Sequence, residues 1–215
     1  MSVQGAGVVV FPANQAMRKL FGFVVVLLGL SAAGCNTPRP FYDYASEPDP
    51  RKQEFILGAS DVLKVNVWHN PELTVDVTIR PDGTISLPLV GDVRAAGRTA
   101  ADVRAEIVKR LGTYLKDDAV NTTVSITAIN SYRFLVNGNV ERMGVYTSNR
   151  YVTVIEAIAL AGGPNRFADP DDTVIIRDDG SGKKKRIPID YPSILKGKHP
   201  EQDLTILAGD TVYIP

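Results

Sequence analysis

Thr74-Val75-Asp76-Val77-Thr78-Ile79-Arg80-Pro81-Asp82-Gly83-Thr84-Ile85-Ser86-Leu87-Pro88-Leu89 is two alternating runs either side of a turn. Val75, Val77 and Ile79 share one face, as do Ile85, Leu87 and Leu89, which is the period of two of half-buried strands. Pro81 pre-sets a turn and Gly83 is free to take positive φ, so the stretch predicts a β-hairpin. Upstream, Asp61–Trp68 alternates as well, with Leu63, Val65 and Val67 inward. Downstream, Thr99 offers an N-cap to a helix running to about Leu115. Val103, Ile107 and Leu111 recur there at i, i+4 and i+8, and Val108 and Leu115 widen the stripe. Thr122–Ala128 is a further strand, with Val124 and Ile126 inward.

Near Ser131 the pattern starts again. Arg133–Gly138 reads as a strand ending on Gly, and Gly144-Val145-Tyr146 as its return. Thr153-Val154-Ile155-Glu156 is a capping box for a short helix, Val154–Ala161, stopped by Gly162-Gly163-Pro164. Thr173–Arg177 and Lys185–Asp190 are strands joined through Asp178–Gly182, Ser193–Lys196 suits a helical turn, and Gly209–Ile214 is a last strand. The order β-β-α-β-β-β marks a second domain. Leu57-Gly58-Ala59-Ser60-Asp61-Val62 and Leu207-Ala208-Gly209-Asp210-Thr211-Val212 read alike: in each, an Asp after a turn opens a strand, as an Asx-turn would.

The N-terminal part is of another kind. Arg18-Lys19, an apolar run Leu20–Leu30 and Ser31-Ala32-Ala33-Gly34 precede Cys35, the sole cysteine. That is the layout of a secretory signal with small residues at its cut site, and a cysteine directly after it reads as a lipidation site. Ala32 stands where such a signal usually carries Leu, and Asn36 rather than Asp follows the cysteine, which leans sorting toward the outer membrane. An uncleaved membrane helix is disfavoured because the apolar run falls short of roughly 20 residues. An ordinary secretory signal would leave a lone thiol in an oxidising compartment. Translation starts at Met1 or at Met17. Residues 1–34 are thus expected to be a signal peptide. Residues 35–54, rich in Pro, Asp and Tyr, are expected to be a flexible tether.

Composition narrows the function classes. The 24 Lys and Arg balance 24 Asp and Glu; Arg18 and Lys19 lie in the leader, so residues 35–215 carry −2. A nucleic-acid binder would show a basic excess. Hydrophobic residues at 44% and charged residues at 22% suit a globular body. His69 and His199 lie far apart and suggest no metal site. Asp169, Asp171 and Asp172 lack the Gly and distal Glu of a calcium loop. Asp61 and Asp82, imagined as a glycosidase pair, are better read as turn residues. Lys183-Lys184-Lys185-Arg186 reads as a charged hairpin edge that blocks edge pairing, ahead of a polyanion site. No enzyme activity and no cofactor are expected.

Several phrases carry a family resemblance. In the first half they are Phe55-Ile56-Leu57-Gly58, Asp61–Trp68, Ile79–Ile85, Pro88–Val93, Gly97 and Thr99. In the second they are Val136–Val140, Gly144-Val145-Tyr146, Thr153–Ile158, Ala161-Gly162-Gly163 and Gly209–Pro215. Their order and spacing resemble the polysaccharide export family, outer-membrane lipoproteins of capsule and exopolysaccharide secretion. Met143 departs from the Pro common at that position. The resemblance implies an α+β chain: residues 55–130 as a small export-family sheet domain with one packed helix, then residues 131–215 as a soluble-ligand-binding (SLBB) β-grasp, ubiquitin-like domain. It further implies a lipid-anchored outer-membrane protein, held by acyl chains on Cys35, with its body facing the periplasm. Such a protein would form a homo-oligomeric ring or conduit for a polysaccharide. Larger relatives carry further β-grasp copies and a pore-lining helix that this sequence does not continue into. A separate outer-membrane barrel and an inner-membrane polysaccharide co-polymerase are therefore the expected partners. Two alternatives remain at this level, a monomeric envelope carbohydrate-binding module and a periplasmic glycan hydrolase. The module would want exposed aromatics in a groove, for which Trp68, Tyr132, Tyr146 and Tyr151 are the candidates.

Overall fold

The computed structural model describes residues 41–115 and 121–215. The leader, Cys35 and the first part of the expected tether lie outside them. Among the described residues no helix is long and apolar enough to cross a membrane.

Two hydrophobic cores form, one from residues 57–111 and one from residues 132–214. The first is built on strands β1 (Val62–Val67), β2 (Val75–Thr78), β3 (Thr84–Leu87), β4 (Gly91–Arg94) and β5 (Thr122–Ala128), with helix α1 (Ala100–Leu111). An antiparallel sheet in the order β2-β1-β5 carries Leu63, Val65 and Val67 inward. Against it lies α1 through Val103, Ile107 and Leu111, the residues of the i, i+4, i+8 stripe. Thr99 caps the helix in a reciprocal box with Asp102. The helix ends earlier than the stripe suggests: Gly112 follows Leu111, and Leu115 packs on the core from beyond the last turn.

The opening stretch departs from the expected hairpin. Its turn forms, with the Gly83 N–H donating to Arg80 O at 2.8 Å and Gly83 at φ +82°. The Asp82 carboxylate accepts from the Thr84 N–H and hydroxyl. Only one residue pair follows the turn, the Arg80 N–H on Thr84 O at 2.9 Å, before the strands separate. β2 pairs with β1, and β3 pairs with β4, which the alternation did not reveal. Competing backbone bonds cause the split. Ile79 is taken by Asp61 O and Ser60 N, while Gly83 O accepts from Ala95 and Ala96.

The second core is a five-stranded sheet, β7-β6-β10-β8-β9, made of β6 (Arg133–Gly138), β7 (Gly144–Thr147), β8 (Thr173–Asp178), β9 (Lys184–Ile189) and β10 (Thr211–Ile214). The last strand runs parallel beside the first, Val212 against Val136, and all other pairs are antiparallel. Helix α2 (Val154–Leu160) crosses one face with Val154, Ala157 and Ile158 buried. Its Thr153–Glu156 capping box forms as read, and α3 (Tyr191–Leu195) supplies the expected helical turn. A hairpin, a crossing helix and a returning parallel strand make this a β-grasp, and the chain as a whole is α+β. At Gly138 (φ +94°) a Cβ would stand 2.0 Å from Ile214 O, so the β6–β10 contact admits no side chain there.

From Tyr42 on, the expected tether is not free chain. It holds two short 3-10 turns, Tyr44–Ser46 and Pro50–Lys52, and packs along the second core. Tyr44 donates to Pro188 O on β9 at 2.7 Å. Glu47 is buried, ion-paired with Arg177 at 2.8 Å and with Lys185 at 2.7 Å, and Tyr42 donates its hydroxyl to it. Arg177, 3% exposed, also grips Asp210 at 2.6 Å and Thr205 O at 2.9 Å. The buried charges of this cluster, Glu47, Arg177 and Asp210, are therefore matched with one another, as burial demands. Burial alone would raise the Glu47 carboxyl; hydrogen bonds from Lys185 and Tyr42, with the Arg177 charge, outweigh it and hold the group below its ordinary value. The Tyr42 phenol is pushed up by burial and by the Glu47 carboxylate. The strap also lies on the edge strand β9, so this edge is guarded by residues 42–52 in addition to its lysines.

Candidate functional site

The two matching turn phrases meet across the junction of the cores. In each, the Asp carboxylate accepts from the backbone N–H three residues back, Asp61 from Gly58 and Asp210 from Leu207, both at 2.8 Å. An Asp does fasten each turn, but by a bond to the N–H three residues back and not by the expected Asx-turn, and each side chain also reaches far along the chain. Asp61, fully buried, takes the N–H groups of Asn130 and Ser131 and the Ser131 hydroxyl, all at 2.8 Å. Asp210 takes the Arg177 guanidinium. Asp61 is thus a clasp between the first turn of one core and the start of the other. Gly58 is part of the same fit, because a Cβ there would sit 2.3 Å from Ser131 Cβ.

Around this clasp lies a groove of two adjoining clefts, about 340 and 610 Å³. Phe55, Tyr132 and Tyr151 line both. Phe55 from the first domain's entry meets Tyr151 at 6.0 Å between ring centroids, and Tyr132 meets Tyr151 edge-on at 5.2 Å. Arg51 and Arg150 stand on the smaller cleft and Arg133 on the larger. No Asp or Glu lines either.

The four aromatic candidates part company here. Tyr132 is 2% exposed; its hydroxyl donates to Ile206 O and accepts from the Val152 N–H, so it is a core residue that offers only a ring edge. Tyr151 is half-buried on the groove, and its hydroxyl makes no hydrogen bond among the described residues. Burial raises the phenol pKa of both. Tyr146 stacks on Phe134 at 6.0 Å and donates to Arg142 O at 2.6 Å, which closes the β6–β7 hairpin. Trp68 is 58% exposed and stacked on His69 at 4.9 Å, outside the groove. Phe55 and the three arginines were not among the sequence candidates.

Two of the three rim arginines are already ion-paired. Arg51 is paired with Asp49 through Nε and Nη2, and that hydrogen bond, ahead of burial, brings Asp49 down to about 2. Arg150 meets Glu156 through Nη1 alone. Burial would raise Glu156, but the Thr153 N–H and Arg150 hold it low. Arg133 spends only Nε, on Asn130 O, and has no ion pair among the described residues. Asp82, the second imagined catalytic carboxylate, is exposed and committed to Arg80 and Thr84. No group of three or more His, Cys, Asp or Glu that would hold a metal occurs among the described residues.

Comparison with known proteins places names beside this geometry. A model described as polysaccharide biosynthesis/export protein matches residues 49–127, and an SLBB domain model matches residues 133–189. The exopolysaccharide production protein ExoF of Rhizobium meliloti is 31% identical over 166 residues, 72% of this chain and 36% of that protein. The EPS I polysaccharide export outer membrane protein EpsA of Ralstonia nicotianae is 25% identical over 184 residues, 74% of this chain and 47% of its own length. Its namesake from Ralstonia solanacearum is 29% identical over 135 residues. The chain thus spans between about a third and a half of the curated relatives it matches.

Proposed function

The chain belongs to the polysaccharide export family, with one export domain followed by one SLBB domain, and we propose on that premise that it is a non-enzymatic component of a machine that carries a polysaccharide across the cell envelope. The observation that carries this is the match of both domains, in order, onto the two separately cored bodies. The commitment of Asp61 and Asp82 to structural hydrogen bonds supports a role without bond-breaking chemistry.

In this reading Cys35 carries the acyl anchor and the body faces the periplasm at the outer membrane. Two or more acyl chains suffice for stable membrane attachment. Copies close head to tail into a ring that guides the polymer. An inner-membrane co-polymerase feeds the ring, and a separate barrel provides the exit. The test is deletion of the gene with the polymer followed by fraction. Polymer made but trapped in the periplasm supports the reading, and undiminished secretion overturns it. Complementation with Cys35→Ser tests the anchor in the same strain. Release of the protein into the soluble periplasmic fraction is expected, and unchanged sedimentation with the outer membrane removes Cys35 from the account.

A further inference from the structure

We propose that the groove between the two cores is a binding site for an acidic saccharide, a sugar ring bearing a carboxylate. The inference rests on the export reading for the polymer's presence, and on the groove itself for its chemistry. The chain balances its cations and acids, yet the groove's lining holds Arg51, Arg133 and Arg150 and no carboxylate. Asp49 pairs Arg51 and Glu156 pairs Arg150 from outside that lining, and Arg133 is left as the one of the three without an ion pair among the described residues. Each arginine keeps donors in reserve: Arg51 its Nη1, Arg150 its Nε and Nη2, and Arg133 both terminal nitrogens. Guanidinium groups with free N–H pairs match a carboxylate in geometry and charge.

The apolar side is equally specific. Phe55 and Tyr151 offer ring surface on which the C–H face of a pyranose can lie. The Tyr151 hydroxyl has no hydrogen-bond partner among the described residues. Among the described residues no buried side-chain polar atom is left unsatisfied, so this half-buried residue's hydroxyl is in reach of solvent and of a sugar hydroxyl. The clefts are of the size that ligand sites take. The walls belong to different domains and are held by the Asp61 clasp, so the site exists before the ligand arrives.

The test titrates the whole mature chain by calorimetry with tetragalacturonate, its carboxyl-reduced neutral counterpart and a tetraglutamate peptide. The uronate is expected to bind, weakening as salt rises, with the neutral sugar about tenfold or more weaker, the scale of one lost charge-assisted hydrogen bond. Tyr151→Leu and Arg150→Ala should each weaken uronate binding by about tenfold, with Arg150→Lys retaining part of it. Circular dichroism of each variant separates lost binding from lost fold. Equal binding of neutral and acidic sugar, no binding of either, or peptide binding as tight as the uronate overturns the proposal. The gene deletion reads the export role separately. Trapped polymer with a silent groove leaves that role and removes this one, and normal export with tight uronate binding does the reverse.

Discussion

Asp61 ties the first turn of one core to the start of the other, and its replacement gives a graded prediction. Its carboxylate accepts four hydrogen bonds at 2.8 Å, from the N–H groups of Gly58, Asn130 and Ser131 and from the Ser131 hydroxyl. Asp61→Ala leaves three backbone donors without their acceptor, while the hydroxyl rotates away. An orphaned buried donor costs about 1–3 kcal/mol. These three are only partly buried, so the low end applies, and the sum is about 3 kcal/mol. Asp61→Asn keeps one acceptor oxygen for Asn130 and Ser131 but sets an NH₂ group against the Gly58 N–H, which predicts about 1–2 kcal/mol. The assay is equilibrium urea denaturation followed by two probes. Fluorescence of Trp68, the only tryptophan, which directly follows Val67 of β1, reports the first domain, and far-ultraviolet dichroism reports both. In Asp61→Ala the two curves should separate, because the clasp couples the cores. A loss below about 1 kcal/mol, or a costlier Asn than Ala, refutes the clasp.

Glu47→Gln should loosen the strap at neutral pH by about 2 kcal/mol, below the usual ~3–5 for a broken buried pair, because Arg177 keeps Asp210. Since folding lowers the Glu47 pKa from 4.5, its contribution is full above that value and lost as pH falls through the depressed one. The gap between parent and variant in urea midpoint should therefore hold from pH 7 down to about 4.5 and close as the pH is lowered further, and a gap that stays constant in acid contradicts the ion-pair account. Gly138→Ala drives a Cβ into Ile214 O at a φ of +94° and should cost more than about 2 kcal/mol in a thermal melt. Gly144→Ala, with open space around it, is the near-neutral control.

What the sequence conveyed follows from the range of the forces involved. Alternation at Leu63, Val65 and Val67 and the stripe Val103, Ile107, Leu111 are local consequences of strand and helix geometry, and both placed their residues on the correct face. The Thr153–Glu156 box is local too and formed as read. Pairing is not local. The run Val75–Leu89 carried the right pattern for a hairpin, yet β2 joined β1 and β3 joined β4, because a two-residue period says which face is buried and not which strand lies alongside. The strap escaped notice for the same reason. Glu47 meets Arg177 across 130 residues, and a segment rich in Pro and Asp has no periodicity to betray an anchored state. The groove was half legible: Tyr151 was a candidate, but Tyr132 has the same local signature and is core. Only tertiary placement separates a tyrosine whose hydroxyl is bonded to Ile206 and Val152 from one whose hydroxyl has no partner among the described residues.

In the export role proposed above, the chain would act through the shape and charge it holds in place, so the stiffness of its inner contacts bears on that proposal. The two cores here are not beads on a string. Asp61 ties the first turn to residues 130–131, Phe55 rests on Tyr151, and Asp49, beside the Glu47 anchor, accepts from Thr205 on the second core before the chain enters the first at Leu57, which pairs with Gly97 and Arg98. Each tie alone is a modest term. Together they make any hinge between the domains break several bonds at once, including buried ones that water replaces poorly. Groove walls held this way lose little freedom when a ligand enters. The ordering cost met when the chain folds is then not met again on binding, which suits the proposed saccharide groove.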